Sequence, residues 1–343
     1  DMNIRHIAEK AGVSVDTVSR VMNHPETVAE ATRKKIEDII REEEYTPNWF
    51  ARGLNFNKTG SIALMVPNIL NPAPIEVARG VEDVAHSKGY TILMCNAEND
   101  IEKERRYMQQ LVHRHIDGIV MIHPYLEEKD FKILEDNKIP SVVIGENSDV
   151  SNVHMVRIDS TDAAARVVEH FVNIGYKSIG MLCGRTPLAE NRHKLEGFRQ
   201  AIVDFGLDLK PEHIVYAPNT IEGGYIGARK FFEMKERPEA ILATSDTLAF
   251  GVIDAAADSG LSIPSDIALV GFDNIRMSNL VTPKLTTMEK PLHKMGVMGA
   301  RLLFDFIEGE DDAFGSTKKE ILLLPKLKIR KSCGHKERIG EMF

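Results

Sequence analysis

Ile4-Arg5-His6-Ile7-Ala8-Glu9-Lys10-Ala11-Gly12-Val13-Ser14-Val15-Asp16-Thr17-Val18-Ser19-Arg20-Val21-Met22-Asn23 reads as two short helices joined by a tight turn. Asn3 is a suitable N-cap for the first helix, because its side chain can accept from the free amides of the first turn. Ile4, Ile7, Ala8 and Ala11 fall at i, i+3, i+4 and i+7, a single apolar stripe. Gly12 ends that helix, since glycine enters the left-handed backbone region without steric cost. Ser14 caps the second helix, whose Val18, Val21 and Met22 face inward while Val15, Asp16, Ser19 and Arg20 share the outer face. A helix-turn-helix of this kind presents the N-terminal side chains of its second helix to base edges in the major groove. Each outer residue also has an ordinary reading: Asp16 suits a first turn because of the helix dipole, and Arg20 suits a solvated surface.

A third helix is predicted over 30–43, burying Ile36, Ile39 and Ile40. Thr32, Arg33, Lys34 and Lys35 crowd its N-terminal end, where backbone amides favour phosphate. Ala29 stands where a capping oxygen is expected, at a cost of about 1 kcal/mol. Glu42, Glu43 and Glu44 cancel the local positive charge. Pro47 then breaks the helix, Asn48 can cap another, and the segment from Trp49 to Leu54 is too short to be a stable helix alone.

The whole chain has 343 residues, 43% hydrophobic and 27% charged, with a formal net charge of −8. That balance excludes a protein that coats nucleic acid uniformly, so any DNA contact must be a local graft on an acidic body. Cys95, Cys183 and Cys333 are isolated, two of them in apolar strands, which favours buried thiols over a disulfide or metal frame. No export signal and no apolar stretch of membrane-spanning length is read, so a cytoplasmic location without membrane contact is expected.

From Ser61 onward, apolar strand-length runs alternate with amphipathic helices in two successive series. The first begins at Ile62 to Val66 and continues to Ile158; the second runs from Ser178 to Val270. Such alternation predicts parallel sheets covered on both faces, and two series predict two doubly wound lobes with ligand at the carboxyl ends of their strands. Asp273, after an apolar strand, is placed to accept hydroxyl hydrogen bonds, and Arg192, near a helix start, to donate a fork of them. A surface salt bridge is the competing reading for both. No nucleophile elbow, phosphate-cradling glycine loop or metal-spaced His/Cys cluster is found. Asp246 and Asp273 could form a carboxylate pair, but with no nucleophile or metal beside them no enzyme activity, cofactor or metal is expected.

The motif run Ile7-Ala8, Ala11 to Ser14, Thr17 to Val21, Asn23, Val28, Thr32-Arg33, Ile36, Tyr45, Pro47-Asn48, Ala51-Arg52 and Leu54 resembles the lactose-repressor family of transcription regulators. Val270 to Asn274, Thr282 to Thr287 and Leu324-Pro325 extend the resemblance to about Ser332. It implies an α/β chain: an all-α headpiece (1–46), a hinge and linker (47–60), and a two-lobed body of periplasmic-binding-protein type. The body's N-terminal lobe would be 61–158 plus 289–323 and its C-terminal lobe 159–288 plus 324–333, with a tail at 334–343. The implied DNA contacts are Ser14, Val15, Asp16, Thr17, Ser19, Arg20, Asn23, Thr32, Asn48, Ala51 and Leu54. Val15, Asp16 and Arg20 would read bases, and paired Leu54 side chains from two subunits would wedge into the minor groove and bend the duplex.

By the same resemblance Asn71, Ala73, Asp159, Arg192, Asn219, Asp246 and Asp273 line the effector pocket. The implied partners are a near-palindromic double-stranded operator, a sugar or sugar derivative, and a second copy of the chain, as a homodimer or a tetramer. Two features depart from the family pattern: His6 replaces an aspartate, and Asn71-Pro72-Ala73-Pro74 lacks the aromatic pair that stacks on a ligand. An alternative is control by a nucleoside corepressor or a phosphorylated carrier protein. Arg301 matches a partner-contacting position for the latter, whereas His293 replaces its tyrosine. A transport-type sugar-binding protein is disfavoured by the headpiece.

Overall fold

The computed structural model describes residues 4–43, 45, 58–146, 150, 152–185 and 188–335. They fall into two compact units, residues 1–60 and 61–343.

The first unit contains α1 (Ile4–Ala11), α2 (Val15–Asn23) and α3 (Glu30–Glu42). Ile7, Ala8, Ala11, Val18, Val21, Ile36 and Ile39 are buried together, so the three apolar stripes meet in one small core. Gly12 adopts φ +67°, and Val13 donates its N–H to the Ala8 carbonyl at 3.0 Å, closing α1 where the glycine predicts.

The second unit holds two six-stranded sheets. The first comprises β1 (Ser61–Val66), β2 (Thr91–Asn96), β3 (Gly118–Ile122), β4 (Ser141–Ile144), β5 (His154–Ile158) and β11 (Glu320–Leu323). Its order is β11-β5-β4-β3-β1-β2, parallel throughout. The second comprises β6 (Ile179–Gly184), β7 (Ile214–Ala217), β8 (Ala240–Ala243), β9 (Ala268–Asp273), β10 (Thr286–Glu289) and β12 (Lys326–Lys328). Its order is β12-β10-β9-β8-β6-β7, with only the β10–β12 pair antiparallel. The chain therefore passes between the sheets after β5, after β10, and between β11 and β12.

The strands are apolar on both faces because both faces are covered. In β1, Ile62, Leu64 and Val66 enter one core cluster while Ala63 and Met65 enter another, the period-2 alternation of a strand. On one side of the first sheet α4 (Pro72–Ser87) packs against α11 (Leu292–Glu308). On the other lie α5 (Ile101–His113) and α6 (Glu128–Asp136). The second sheet is flanked by α7 (Ser160–Asn173), α8 (Ala189–Asp204), α9 (Ile221–Phe232) and α10 (Asp246–Asp258).

Three helices differ from the sequence expectation, which reads neither α6 nor α7 and places the start of α9 near Tyr225. The α6 helix was not anticipated, although Glu127 N–H donates to the Asp130 carboxylate at 2.9 Å and Phe131 and Leu134 lie at helical spacing. The α9 helix starts four residues before the expected Tyr225, because Gly223 and Gly224 serve packing rather than a break. A Cβ on Gly224 would lie 2.2 Å from the Leu248 carbonyl oxygen, and one on Gly251 would lie 2.1 Å from that of Ile221. Glycines thus bring α9 and α10 into backbone contact.

The same close approach joins α7 and α8, where a Cβ on Gly197 would lie 2.0 Å from the Thr161 carbonyl oxygen. Gly197→Ala should destabilise the body by about 1–3 kcal/mol through overpacking, although alanine is the better helix former. Urea unfolding of the full chain checks this; a raised midpoint would contradict the packing argument.

Candidate ligand cleft and nucleic-acid interface

In the headpiece, the Ser14 hydroxyl accepts from Thr17 N–H at 3.1 Å and lies 2.9 Å from the Thr17 hydroxyl. This cap fixes the start of α2, leaving Val15, Asp16 and Arg20 exposed and Thr17 and Ser19 half-buried. Arg20 lies 3.3 Å from Asp16, an exposed i,i+4 pair of little energetic weight, so the guanidinium is not held firmly there. Asn23 donates to the Ser19 hydroxyl at 3.3 Å, and its own amide oxygen is buried without a partner among the described residues. Thr32 lies half-buried in the first turn of α3, whose N-cap Ala29 makes no side-chain hydrogen bond. At the other end, Glu43 pairs with Lys10, which lowers the Glu43 carboxyl and raises the Lys10 ammonium. Asn48, Ala51 and Leu54 lie outside the described residues.

In the body, a cavity of 420 Å³ opens at the carboxyl ends of both sets of strands. Asn71, Ala73, Asn219 and Asp273 line it. So do Asn71, Leu188, Thr220 and Ser245 as the N-caps of α4, α8, α9 and α10, so four helix amide ends converge there.

Arg192, Asp159 and Asp246 are not among the lining residues. Arg192 is exposed on α8, because that helix turns Glu190, Lys194, Gly197, Phe198 and Ala201 inward, and residue 192 falls on the opposite side. Asp159 caps α7, accepting from Asp162 N–H at 3.0 Å. Asp246 is fully buried behind the cavity, accepting from the Thr287 hydroxyl at 2.6 Å and Ile275 N–H at 2.8 Å. It thereby braces the loop after Asp273.

The floor of the cavity is a charge network of which the sequence reading had named only Asp273. Glu190 accepts from Lys194 at 2.6 Å and from Lys290 at 2.8 Å, and Lys290 lies 2.9 Å from Asp273. Lys194 also donates to the Thr244 carbonyl at 3.0 Å and lies 4.0 Å above the Phe272 ring. Two ammoniums thus face two carboxylates, all buried. Burial alone would favour a neutral Lys290, yet Asp273 and Glu190 hold it protonated well above the usual lysine range. Burial likewise opposes ionised Glu190, but Lys194 and Lys290 keep its carboxyl far below the ordinary value. For Asp273, burial raises the carboxyl and the two lysines work against that rise. Asp273 and Asn274 also have positive φ, +110° and +58°, a strained backbone of the kind found at ligand clamps.

Two bridges cross the cleft from α8 in opposite senses. Glu190 meets His123, at the end of β3, at 3.3 Å, and His193 meets Glu146, just after β4, at 2.8 Å. Burial lowers His123 to about 4, so its ring is neutral at physiological pH. Its close seat on the backbone requires Gly145, where a Cβ would lie 2.3 Å from the imidazole Nδ1.

Burial, with Asp273 adding to it, lifts the Asp246 carboxyl from 3.8 to about 8. Between those values the folded chain holds a proton that the unfolded chain has released, so Asp246 removes stability as pH rises through that window. Asp246→Asn should therefore flatten the fall in Tm with rising pH; a slope identical to the parent's in thermal unfolding would contradict it.

Comparison with known proteins adds to this geometry. Residues 3–48 match the bacterial regulatory proteins of the lacI family, and residues 168–333 match the periplasmic binding protein-like domain. Catabolite control protein A of Priestia megaterium is 32% identical over 311 residues, covering 90% of this chain and 94% of that protein. The transcriptional regulator CelR–cellobiose complex matches with TM-score 0.72 and 25% identity, covering 97% and 100% of the two chains. The lac repressor dimer bound to operator and the anti-inducer ONPF shares the fold, with TM-score 0.86 at 24% identity over 96% and 98% of the chains. With its capped reading helix and its two-sheet body, the chain belongs to the lacI family of DNA-binding transcription regulators.

Proposed function

We propose that the chain is a repressor that binds a near-palindromic operator as a homodimer and is controlled by a small polar effector, a sugar or sugar derivative, held in the cleft. The observation that carries this reading is the 420 Å³ cavity, which takes polar groups from both lobes at the carboxyl ends of their strands. A ligand there competes with the contacts that cross the cleft through Glu190 and His193, and so biases one lobe arrangement over another. Only a ligand with unequal affinity for the two arrangements can do so. The CelR–cellobiose neighbour supports a sugar-type ligand.

Apolar side chains exposed on both lobes support the dimer: Leu70 and Met94 on the first, Ile226 and Leu280 on the second. They give a second copy a surface to bury. In the dimer, Val15, Asp16 and Arg20 face base edges, while Ser14, Thr17, Ser19, Asn23 and Thr32 sit near phosphates. Asn48, Ala51 and Leu54 are proposed as further operator contacts. Asn71, Ala73, Asn219 and Asp273 hold the effector, with Lys194 taking the place proposed for Arg192. Asp246 and Asp159 act at one remove, by bracing the pocket. The relatives are transcription regulators, and no catalytic role is proposed.

Arg20→Ala should weaken operator binding by about 1–3 kcal/mol and relax sequence preference at one base pair. Competition with operator variants checks this; a uniform loss across all sequences would make Arg20 a phosphate contact instead. Leu54→Ala should reduce operator affinity by at least about tenfold while leaving effector affinity intact. Equal operator affinity in a fluorescence titration would remove the wedge. Asp273→Asn should bind operator but no longer answer a panel of sugars; a retained response would place the effector elsewhere.

A further inference from the structure

The hydrogen-bond valences left open by the cavity walls define its ligand more narrowly than a sugar. Asn68, Asn71 and Asn219 line the cavity, and each has its amide oxygen committed to the protein. Asn68 Oδ1 accepts from Leu70 N–H at 2.8 Å, and Asn71 Oδ1 accepts from Ala73 N–H at 3.2 Å. Asn219 Oδ1 accepts from the Ser245 hydroxyl at 2.5 Å. A backbone N–H can only donate, so the first two amides are oriented without ambiguity. Their NH₂ groups make no hydrogen bond among the described residues and carry two donors each.

The charged floor adds to the same bias. An ammonium carries three donors. Lys290 spends one each on Glu190 and Asp273, and Lys194 one each on Glu190 and Thr244, which leaves one N–H on each lysine. The buried carboxylates are matched one for one by these ammoniums, so they do not repel an anion. Arg185, exposed in the cavity wall, makes the lining net positive. Against these donors, Asp273 offers one carboxylate oxygen that meets no partner among the described residues, room for a ligand hydroxyl.

We propose that the effector is an acidic sugar derivative, a polyhydroxylated molecule bearing a carboxylate or a phosphate. Its oxyanion accepts from the asparagine amides and the lysines, and one hydroxyl donates to Asp273. A neutral sugar brings a donor with every hydroxyl acceptor, and most of those donors would face N–H groups. An oxyanion brings acceptors alone, and charge-assisted hydrogen bonds to it are roughly twice as strong as neutral ones. This rests on the cleft being the effector site, and it fixes the chemical class of the occupant.

The test is isothermal titration of the full chain with glucuronate, galacturonate, gluconate and glucose 6-phosphate, beside glucose and galactose. At least one acid should bind ten times more tightly than its neutral parent. Carboxylates ahead of glucose 6-phosphate, or the reverse, tells which oxyanion the site takes. Asn71→Asp and Asn68→Asp keep the acceptor that each amide oxygen supplies while removing its donors and adding a negative charge. Aspartate is as good an N-cap as asparagine at residue 71, and at residue 68 it keeps the acceptor for Leu70 N–H, so the fold is retained. Each variant should weaken the acid by at least tenfold and the neutral parent by a clearly smaller factor, because the added charge repels only the acid. Equal or tighter binding of the neutral sugars, unchanged acid affinity in both variants, or binding by no member of the panel would overturn the proposal. A neutral sugar that binds and releases operator would leave the cleft as effector site and sink only the acidic class. An acid that binds with its affinity unaltered in Asp273→Asn would sink the cleft itself.

Discussion

The structure depends on a constraint in the cleft: Glu190, Lys194, Lys290 and Asp273 are buried together, and each charge is tolerable only because the others are present. Removing one partner from such a set leaves an uncompensated buried charge, which is far more costly than the pair is stabilising. The members come from distant parts of the chain. Glu190 and Lys194 lie on α8, Asp273 ends β9, and Lys290 follows β10 at the crossing toward α11. Neutralisation therefore ties together the end of a strand, the start of a helix and a passage between lobes. His123 extends the network to the other sheet.

Under the proposed function, that arrangement would let the cleft act as a switch. A buried, charge-balanced ion network has few alternative geometries, so a ligand that takes up its open valences would shift it from one discrete state to another. The second bridge, His193 to Glu146, sits three residues further along α8 than Glu190 and reaches the neighbouring strand. Because α8 carries both bridges, a small displacement of this helix is felt at two strand ends of the opposite lobe. Coupling of about 1–3 kcal/mol between ligand and DNA is typical of such systems, and the same factor must appear in both binding equilibria.

Much of this was legible in the residues. The headpiece was read nearly to the residue, because Ser14, Gly12 and the stripes of α1 and α2 are local signals with local causes. The strands were visible as apolar runs, and Asp273 followed from the rule that ligands sit at strand carboxyl ends. The cleft was harder. Arg192 looked suitable because arginine near a helix start can reach a ligand, but facing is decided by helical phase. Stepping back from buried Phe198 by four residues gives Lys194 and then Glu190, a stripe that was present in the sequence and passed over. Lys290 gave no local sign at all. A lysine between a strand and a helix reads as solvated, and only contact with a carboxylate one hundred residues away buries it. The start of α9 was hidden for a related reason: Gly223 and Gly224 are poor helix formers, and only the neighbouring helix packed against them accounts for glycine there.

The central claim is that occupation of the cleft and grip on the operator select different arrangements of the two lobes. Nitroxide labels introduced as Gln109→Cys on α5 and Lys230→Cys on α9 sit on exposed positions of opposite lobes, and Cys95, Cys183 and Cys333 are all buried. Pulsed electron–electron resonance would report the distance between the labels with operator bound and with an effector in the cleft. Two distinct distributions, with operator and effector each pulling the population toward its own, are predicted. One distribution, unchanged by either partner, would contradict the account.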